Sequence, residues 1–322
     1  MPRGKRIKVE GAIAHYHIIS RTVGQQFLLG DVEKDKLVQI IRYFARIFFV
    51  KINAYCIMSN HFHLVVQTLP GHLFSDEEVV RRMRLHMQDK ETFTPEEIRK
   101  ARKKLEDISE FCRAFKQTFS RWYNKENGLS GHFWSERFKS LVIGTLEGKQ
   151  RCCAYIELNP VRAGIVDRPE DYRWCSLHNR QFAPKRERFC SFDGLFSDDL
   201  SCYSDAFLLK EYRSIVYYLG NIKRTTLKDL EEGRDVDDAR SPISDELYDA
   251  TVSRDFQLSA GELLLGRMRY FSDGVAIGSK EFLTQIYKRF GGTAILKKDR
   301  NLYPTGISPN LFSIRRLRPK PN

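Results

Sequence analysis

The residues of this chain whose spacing most directly indicates a chemical role are two histidines, His61 and His63, which flank Phe62. They begin the run HFHLVV, whose apolar and β-branched residues favour a strand. Residues two apart on a strand project from the same face, so both imidazoles would lie together while Phe62 packs on the other side. Paired imidazoles suit a divalent transition metal. The alternative is two partly buried histidines without a metal.

A tyrosine and an asparagine four residues apart form a second candidate, in the run AYIELNPVRAG at residues 154–164. The residues from Leu146 onward favour a helix that ends near Pro160, because proline disfavours helical geometry in the residue before it. Tyr155 and Asn159 would share one helical face. A phenol oxygen is a nucleophile once deprotonated, and an amide oxygen is a neutral metal ligand. Alternatively, Tyr155 is an ordinary half-buried aromatic residue and Asn159 caps a short next helix that has Pro160 at its first position.

Together these two runs resemble the motifs of the single-tyrosine HUH transposases, and most of all their REP-associated tyrosine transposase branch. The intervening run GHFWSERFKS, at residues 131–140, also resembles a segment common in that branch. The resemblance covers roughly residues 7–180, and nothing functional is carried over beyond residue 180.

The resemblance implies a metal-dependent single-stranded DNA endonuclease and strand transferase, acting on hairpin DNA of the REP type or from insertion-sequence ends. Tyr155 would form a covalent 5′-phosphotyrosine intermediate, and His61, His63 and Asn159 would hold Mg²⁺ or Mn²⁺. Asparagine at position 159 departs from the glutamine that is frequent in the family. No Walker motif occurs in the sequence, so no nucleotide cofactor is expected. The resemblance also implies a homodimer. The alternative is a non-catalytic DNA-binding regulator on the same scaffold.

Cations and aromatic residues near the third run are candidates for DNA contact. Aromatic and cationic side chains on a loop stack on unpaired bases and hold phosphates. Alternatively, Phe133 and Trp134 belong to the hydrophobic core. The predicted DNA contacts are Arg121, His132, Trp134, Arg137, Lys139 and Arg162.

The charge balance is that of a protein that binds polyanions. The chain has 54 Lys and Arg against 41 Asp and Glu, a net charge of +13 and a pI near 9.4. Such a balance favours binding to nucleic acid, although charge alone does not distinguish DNA from RNA or an anionic membrane surface. The sequence contains no apolar run long enough to span a membrane. We therefore expect a cytoplasmic protein associated with the bacterial nucleoid. Seven cysteines without a Cys-x-x-Cys pair predict reduced thiols.

The expected fold class is α+β, a ferredoxin-like split βαβ arrangement with an antiparallel sheet and helices on one face. Periodicity predicts strands at 12–21, 52–58, 61–68 and 138–145, and a helix at 31–50. Capping boxes at Ser75 and Thr94 predict two further helix starts. The predicted domains are a transposase domain at 1–180, a linker at 181–205, and a mostly helical region at 206–322 for which DNA binding is one candidate role.

Overall fold

The computed structural model of the chain falls into two compact units. The histidine unit is Lys8–Ser140 with Phe189–Ser191, and the tyrosine unit is Leu141–Arg188 with the flanking chain, Met1–Ile7 and Phe192–Asn322. The boundary between the two compact units therefore lies after Ser140, well before the predicted domain boundary at residue 180. Much of the predicted region 206–322 lies outside the described residues. The structure describes residues 6–87, 92–197, 200–221, 246, 274–290, 303–304 and 311–314.

Three antiparallel strands form the sheet of the histidine unit, and each agrees with a predicted strand. They are β1 (Ala14–Arg21), β2 (Val50–Ile57) and β3 (His61–Thr68), with β3 between the other two. A tight connection joins β2 to β3, closed by a hydrogen bond from the Met58 amide to the His61 carbonyl at 2.8 Å. The register between β1 and β3 pairs Arg21 with His61 at one end.

Four helices complete the histidine unit, and capping residues fix where two of them begin. Ser75 accepts a hydrogen bond from the Glu78 amide, and Thr94 forms a full capping box with Glu97, as the sequence predicts. The fourth helix packs on the first, where both bury apolar stripes. The helices are α1 (Asp31–Ile47), α2 (Asp76–Arg84), α3 (Pro95–Glu106) and α4 (Ile108–Glu126).

The tyrosine unit combines short helices with a small mixed sheet. Strand β4 (Lys139–Ile143) begins at the end of the histidine unit, and its residues Val142 and Ile143 pair in parallel with β5. Strand β7 pairs antiparallel with both β5 and β6. The remaining elements are α5 (Leu146–Glu157), α6 (Asn159–Arg162), α7 (Ser176–Phe182), α8 (Asp205–Asn221), β5 (Ala276–Gly278), α9 (Lys280–Phe290), β6 (Tyr303–Pro304) and β7 (Phe312–Ile314).

One glycine shows why the segment after β4 has its sequence. A Cβ atom at Gly144 would lie only 2.2 Å from the ring of Phe282 on α9, so no larger residue fits there without displacing that ring.

The structure confirms the predicted α+β class. The order β1-α1-β2-β3 is the predicted one, and α8 and α9 are the described helices of the region 206–322. Strands β5 to β7 and the parallel pairing of β4 were not predicted, because each of these strands has only two to five residues. Within the described residues, no helix has the length and apolar character needed to cross a membrane.

Candidate functional site

The two histidines of β3 stand side by side, as strand geometry predicts. The ring centroids of His61 and His63 are 4.9 Å apart, with the rings nearly perpendicular. Phe62 is fully buried on the opposite face, edge-on to the rings of Phe115 and Trp134 at 5.6 and 5.3 Å. The core therefore fixes β3 in a register that keeps both imidazoles on one face.

Each of these imidazoles has its Nδ1 atom engaged by a neighbour. Nδ1 of His61 lies 2.6 Å from Oδ1 of Asn60, and Nδ1 of His63 lies 2.9 Å from Nε2 of His17. An amide oxygen only accepts hydrogen bonds, so Nδ1 of His61 carries the proton and its Nε2 keeps a lone pair. A neutral imidazole with one nitrogen protonated and the other open is a metal ligand.

His17 is a member of this cluster that the motif analysis did not identify. It is fully buried on β1 and its ring stacks on His63, with centroids 5.1 Å apart and planes 22° apart. The sequence places His17 on an alternating strand face, but only the pairing of β1 with β3 brings it to His63.

Burial and a nearby charge keep His61 neutral. Desolvation, the larger cause, and the positive charge of Arg21 together lower the pKa of His61 from its ordinary value to about 4. Metal binding requires the neutral ring, which this environment supplies near neutral pH. Arg21, the cross-strand partner of His61, was not identified from the sequence.

The two histidines fit a metal ion but need a third ligand of another kind. Among the described residues, no group of three or more His, Cys, Asp or Glu is placed to hold a metal ion. His17 therefore does not complete a ligand set with His61 and His63. An amide oxygen or water is a suitable further ligand beside two imidazoles.

The residues Tyr155 and Asn159 lie on either side of a helix break in the tyrosine unit. Helix α5 ends at Glu157, α6 begins at Asn159, and Leu158 between them has a ψ angle near 0°. Tyr155 and Asn159 are both half-buried. The short helix α6 agrees with part of the alternative in which Asn159 caps a new helix. The capping residue itself differs, because α6 begins at Asn159 and the residue in the cap position is Leu158, whose side chain forms no cap hydrogen bond.

The amide of Asn159 carries a buried polar atom without a protein partner. Its Nδ2 atom is inaccessible to solvent and has no hydrogen-bond partner in the described part of the chain. An amide oxygen and nitrogen have the same shape, so either atom can occupy this position. A buried polar group normally has a partner, and a bound metal or phosphate would provide one.

Arg162, predicted as a DNA contact, packs directly on Tyr155. Its guanidinium carbon lies 4.5 Å from the centroid of the Tyr155 ring, and its Nη2 group donates a hydrogen bond to the Tyr155 carbonyl. This cation–π contact holds a positive charge beside the phenol.

A buried carboxylate, Glu157, anchors the end of α5. Its two oxygens accept hydrogen bonds from Ser176 Oγ at 2.6 Å, the Leu177 amide at 3.0 Å, Tyr212 Oη at 3.1 Å and Cys175 Sγ at 2.9 Å. Glu157 is fully buried, and burial raises the pKa of its carboxyl group. These four donors tie the helix of Tyr155 to α7 and α8.

Glu157 was also missed from the sequence. A signal existed, since Glu157 lies between two apolar residues, Ile156 and Leu158, and both are fully buried. A second buried carboxylate, Glu170, accepts hydrogen bonds from Arg213 at 2.8 Å and Tyr217 at 2.9 Å, both on α8. Helix α8 therefore belongs to the support of α5, although it lies beyond the predicted boundary at residue 180.

The remaining predicted DNA contacts lie in the histidine unit and differ in exposure. Trp134 is half-buried, and its Nε1 group donates to the Lys116 carbonyl at 3.1 Å, which agrees with the core alternative. The loop that carries Trp134 is held to β1 by a hydrogen bond from the Ser135 amide to the Arg21 carbonyl at 3.0 Å. The exposed members of the set are Arg121, His132, Arg137 and Lys139.

A further aromatic residue near the histidines was not predicted. Phe27 is 80% exposed, on the loop between β1 and α1. Hydrogen bonds from the Asn60 side chain to the Gln25 carbonyl at 3.1 Å and from the Leu29 amide to the Ser59 carbonyl at 2.9 Å hold this loop beside the turn before His61.

Comparison with known proteins finds a family model that matches part of the chain. The family model described as transposase IS200-like matches residues 12–86, which contain β1 to α2 and both histidines of β3. The match confirms the resemblance seen in the motifs, for that segment. A search of curated protein sequences finds no match.

Two solved structures are similar to longer parts of the chain. One, described as a REP-associated tyrosine transposase bound to a REP hairpin, shares 17% identity, covers 64% of this chain and 96% of its own, and has a TM-score of 0.40. The other, a candidate transposase from Deinococcus radiodurans, shares 18% identity, covers 47% and 92% respectively, and has a TM-score of 0.27. Similarity at this level does not define the role of any residue.

Proposed function

We propose that this chain, whose residues 12–86 match the IS200-like transposase family, is a metal-dependent single-stranded DNA endonuclease and strand transferase. The family supports DNA transposition and a DNA-processing enzyme. The observation that carries the finer proposal is the pair His61 and His63, adjacent on β3 with both Nδ1 atoms engaged. This arrangement leaves the two Nε2 atoms as ligands for one divalent ion, Mg²⁺ or Mn²⁺.

In the proposed site, Asn159 supplies the third ligand through its side-chain oxygen. The buried amide atom of Asn159 without a protein partner supports this role. The ion, when bound, would withdraw charge from the scissile phosphate. His61 and His63 hold it as neutral ligands, and the low pKa of His61, about 4, keeps that imidazole unprotonated at neutral pH.

Tyr155 is the proposed nucleophile. Its phenol oxygen forms a bond to the phosphorus of a DNA phosphodiester while the bond from phosphorus to the 3′ oxygen breaks. The phenol proton leaves the tyrosine, and the 3′ oxygen gains a proton to become a free hydroxyl. The product is a 5′-phosphotyrosine, from which attack by another 3′ hydroxyl joins strands without a nucleotide cofactor. Arg162, whose guanidinium lies 4.5 Å from the Tyr155 ring centroid, places positive charge where the phosphate arrives.

The proposed DNA is unpaired or hairpin DNA, in keeping with the motif resemblance. Exposed Arg137 and Lys139 would hold its phosphates, and Phe27 offers a face on which a base can stack. One catalytic tyrosine per active site is consistent with two chains acting together, so we propose a homodimer acting on DNA of the bacterial nucleoid.

A covalent-adduct assay tests this function. Labelled single-stranded hairpin DNA is incubated with the full chain and Mn²⁺, and the products are separated on a denaturing gel. We expect a protease-sensitive shifted band that a chelator abolishes, and that falls about 10³-fold or more in Tyr155→Phe and His61→Ala. Tyr123→Phe is the matched control, because Tyr123 is also a half-buried helical tyrosine.

The outcomes separate the competing functions. Tight DNA binding without an adduct on any of several hairpins would support the non-catalytic DNA-binding regulator. An adduct that persists in Tyr155→Phe would show that another residue is the nucleophile. Loss of the adduct in Tyr123→Phe as well would attribute the effect to folding, and circular dichroism melting of each variant measures that directly.

A further inference from the structure

We propose that His17 is a positioning residue that fixes the tautomer and the orientation of His63, and so makes His63 a metal ligand. This inference rests on the proposed function, because it concerns the same metal site. His17 lies on a different strand from His61 and His63 and outside their sequence motif.

The contact between the two rings is direct and buried. Nε2 of His17 lies 2.9 Å from Nδ1 of His63, and the rings stack with centroids 5.1 Å apart. His17 is fully buried and His63 is 4% exposed, so no bulk water competes for this hydrogen bond. A hydrogen bond of this kind holds one ring in one orientation.

The hydrogen bond also decides which nitrogen of His63 can bind a metal. Its Nδ1 atom is engaged by His17, so coordination by His63 would take place through Nε2. An Nε2 atom with an open lone pair requires the proton of the neutral ring on Nδ1. His63 must then donate and His17 must accept, through an unprotonated Nε2. His61 has the same arrangement, with Oδ1 of Asn60 as its acceptor at 2.6 Å.

The sheet register explains why this acceptor comes from β1. In the pairing of β1 with β3, Ile19 lies opposite His63 and His17 lies opposite Val65. His17 is thus the diagonal neighbour of His63 on the same face, within reach of a long side chain. A strand offset by one residue would turn His17 to the other face.

Two substitutions at position 17 distinguish an acceptor from a packing group. His17→Gln places an amide oxygen near the position of the imidazole Nε2, and His17→Leu fills the space without any acceptor. His15→Leu is the matched control, because His15 is buried on the same strand and the same face, two residues away. Circular dichroism melting of the full-length variants establishes that each one folds.

The first measurement is made without metal. The ¹⁵N chemical shifts of the His63 ring report its tautomer in the full chain. We expect a proton on Nδ1 of His63 in the wild type and His17→Gln, and a mixture of tautomers in folded His17→Leu. A wild-type His63 with its proton on Nε2 would overturn the proposal, and so would an unchanged tautomer in His17→Leu.

The second measurement is the dissociation constant for Mn²⁺ by calorimetry, with His63→Ala as the reference for a lost ligand. We expect His17→Leu to bind about 10–100-fold more weakly, His17→Gln within about 3-fold of wild type, and His15→Leu unchanged. Equal Mn²⁺ affinity in His17→Leu and wild type would overturn the role of His17 alone. A wild type that binds no Mn²⁺, yet has the expected tautomer, would overturn the metal site of the proposed function and support the role of His17 in orienting His63.

Discussion

The histidine strand and the tyrosine helix position their side chains in different ways. His61 and His63 are placed by strand alternation, and their hydrogen-bond partners Asn60 and His17 come from the adjacent turn and the neighbouring strand. The helix of Tyr155 ends at Glu157, a fully buried carboxylate whose four donors come from α7, its N-terminal flank and α8. The two imidazoles are aligned by their own strand, and one of their two partners, His17, lies 46 positions away in the chain. The end of the tyrosine helix depends entirely on donors that lie 18 to 55 positions away.

This difference has a physical reason. A strand places alternate side chains on one face by its backbone geometry alone, so a short motif is enough to align two ligands. A helix that ends at Glu157 has no such constraint beyond its last turn, because its final carbonyls lack partners within the helix. Tertiary contacts must hold that end, and the buried carboxylate provides them.

The largest effect is expected from a substitution that removes the hydrogen bonds at the end of the tyrosine helix. Glu157→Gln replaces one accepting oxygen with an NH₂ group, which would face hydrogen-bond donors that now point at the carboxylate. We therefore expect the free energy of unfolding to fall by about 3 kcal/mol. Urea denaturation measures the change. Glu110→Gln, which removes an exposed pairing with Arg113, is the control and should have a much smaller effect.

The same variant sharpens the comparison when function is measured. If the two regions are supported separately, Glu157→Gln should reduce adduct formation at a temperature where it is folded, while the tautomer of His63 in the metal-free protein, read from its ¹⁵N chemical shifts, stays that of the wild type. A changed His63 tautomer would contradict separate support.

A smaller effect is expected from the titration of His61. Its pKa is about 4 in the folded protein and about 6.5 when unfolded, so the unfolded state binds the proton first as the pH falls. Stability should therefore decline from about pH 6.5 toward pH 4, and be restored as the pH rises. Allowing for partial exposure, we expect His61 to contribute about 1 kcal/mol of the loss between about pH 7 and pH 5.

Urea denaturation of the metal-free protein at the two pH values measures this contribution. His61→Gln should reduce the pH dependence by about 1 kcal/mol. His132→Gln, at an exposed position, is the control substitution. Equal pH dependence in wild type and His61→Gln would show that His61 is not held neutral by its surroundings.

The smallest expected effect concerns the exposed cations of the histidine unit. Arg137→Gln should weaken binding to single-stranded DNA about 2–5-fold and lower the salt dependence by about 0.7, the value for one phosphate contact. Fluorescence anisotropy between about 50 and 200 mM salt measures both. Arg99→Gln is the control, because Arg99 is exposed but already paired with Glu96 on α3. An equal effect of both substitutions would indicate net charge instead of a contact.

The placements that follow from local spacing were predicted correctly from the sequence. His61, His63 and the packing of Phe62 depend on the period of a strand, and β3 has the predicted bounds. The starts of α2 and α3 depend on capping residues that lie within one turn. Tyr155 and Asn159 were selected by motif resemblance, and their placement in one site with the histidines stays a prediction.

Residues whose roles depend on pairing between distant elements were missed. His17 and Arg21 reach the histidines through the register of β1 with β3, which alternation within one strand does not specify. Glu157 has the residue type of an exposed helix position, and only the packing of α7 and α8 supplies the donors that allow its burial.

The sequence by itself determined the α+β class, the strands of the histidine motif and the helix starts, which follow from periodicity and side-chain type and act over a few residues. The candidate chemistry of His61, His63 and Tyr155 came from the resemblance of their motifs to a known family. Only the tertiary structure decided which nitrogen of His63 is engaged, that His61 stays neutral, and how the end of α5 is held. Those properties depend on burial and on partners from other elements, because desolvation and hydrogen bonding are set by what surrounds a group in space.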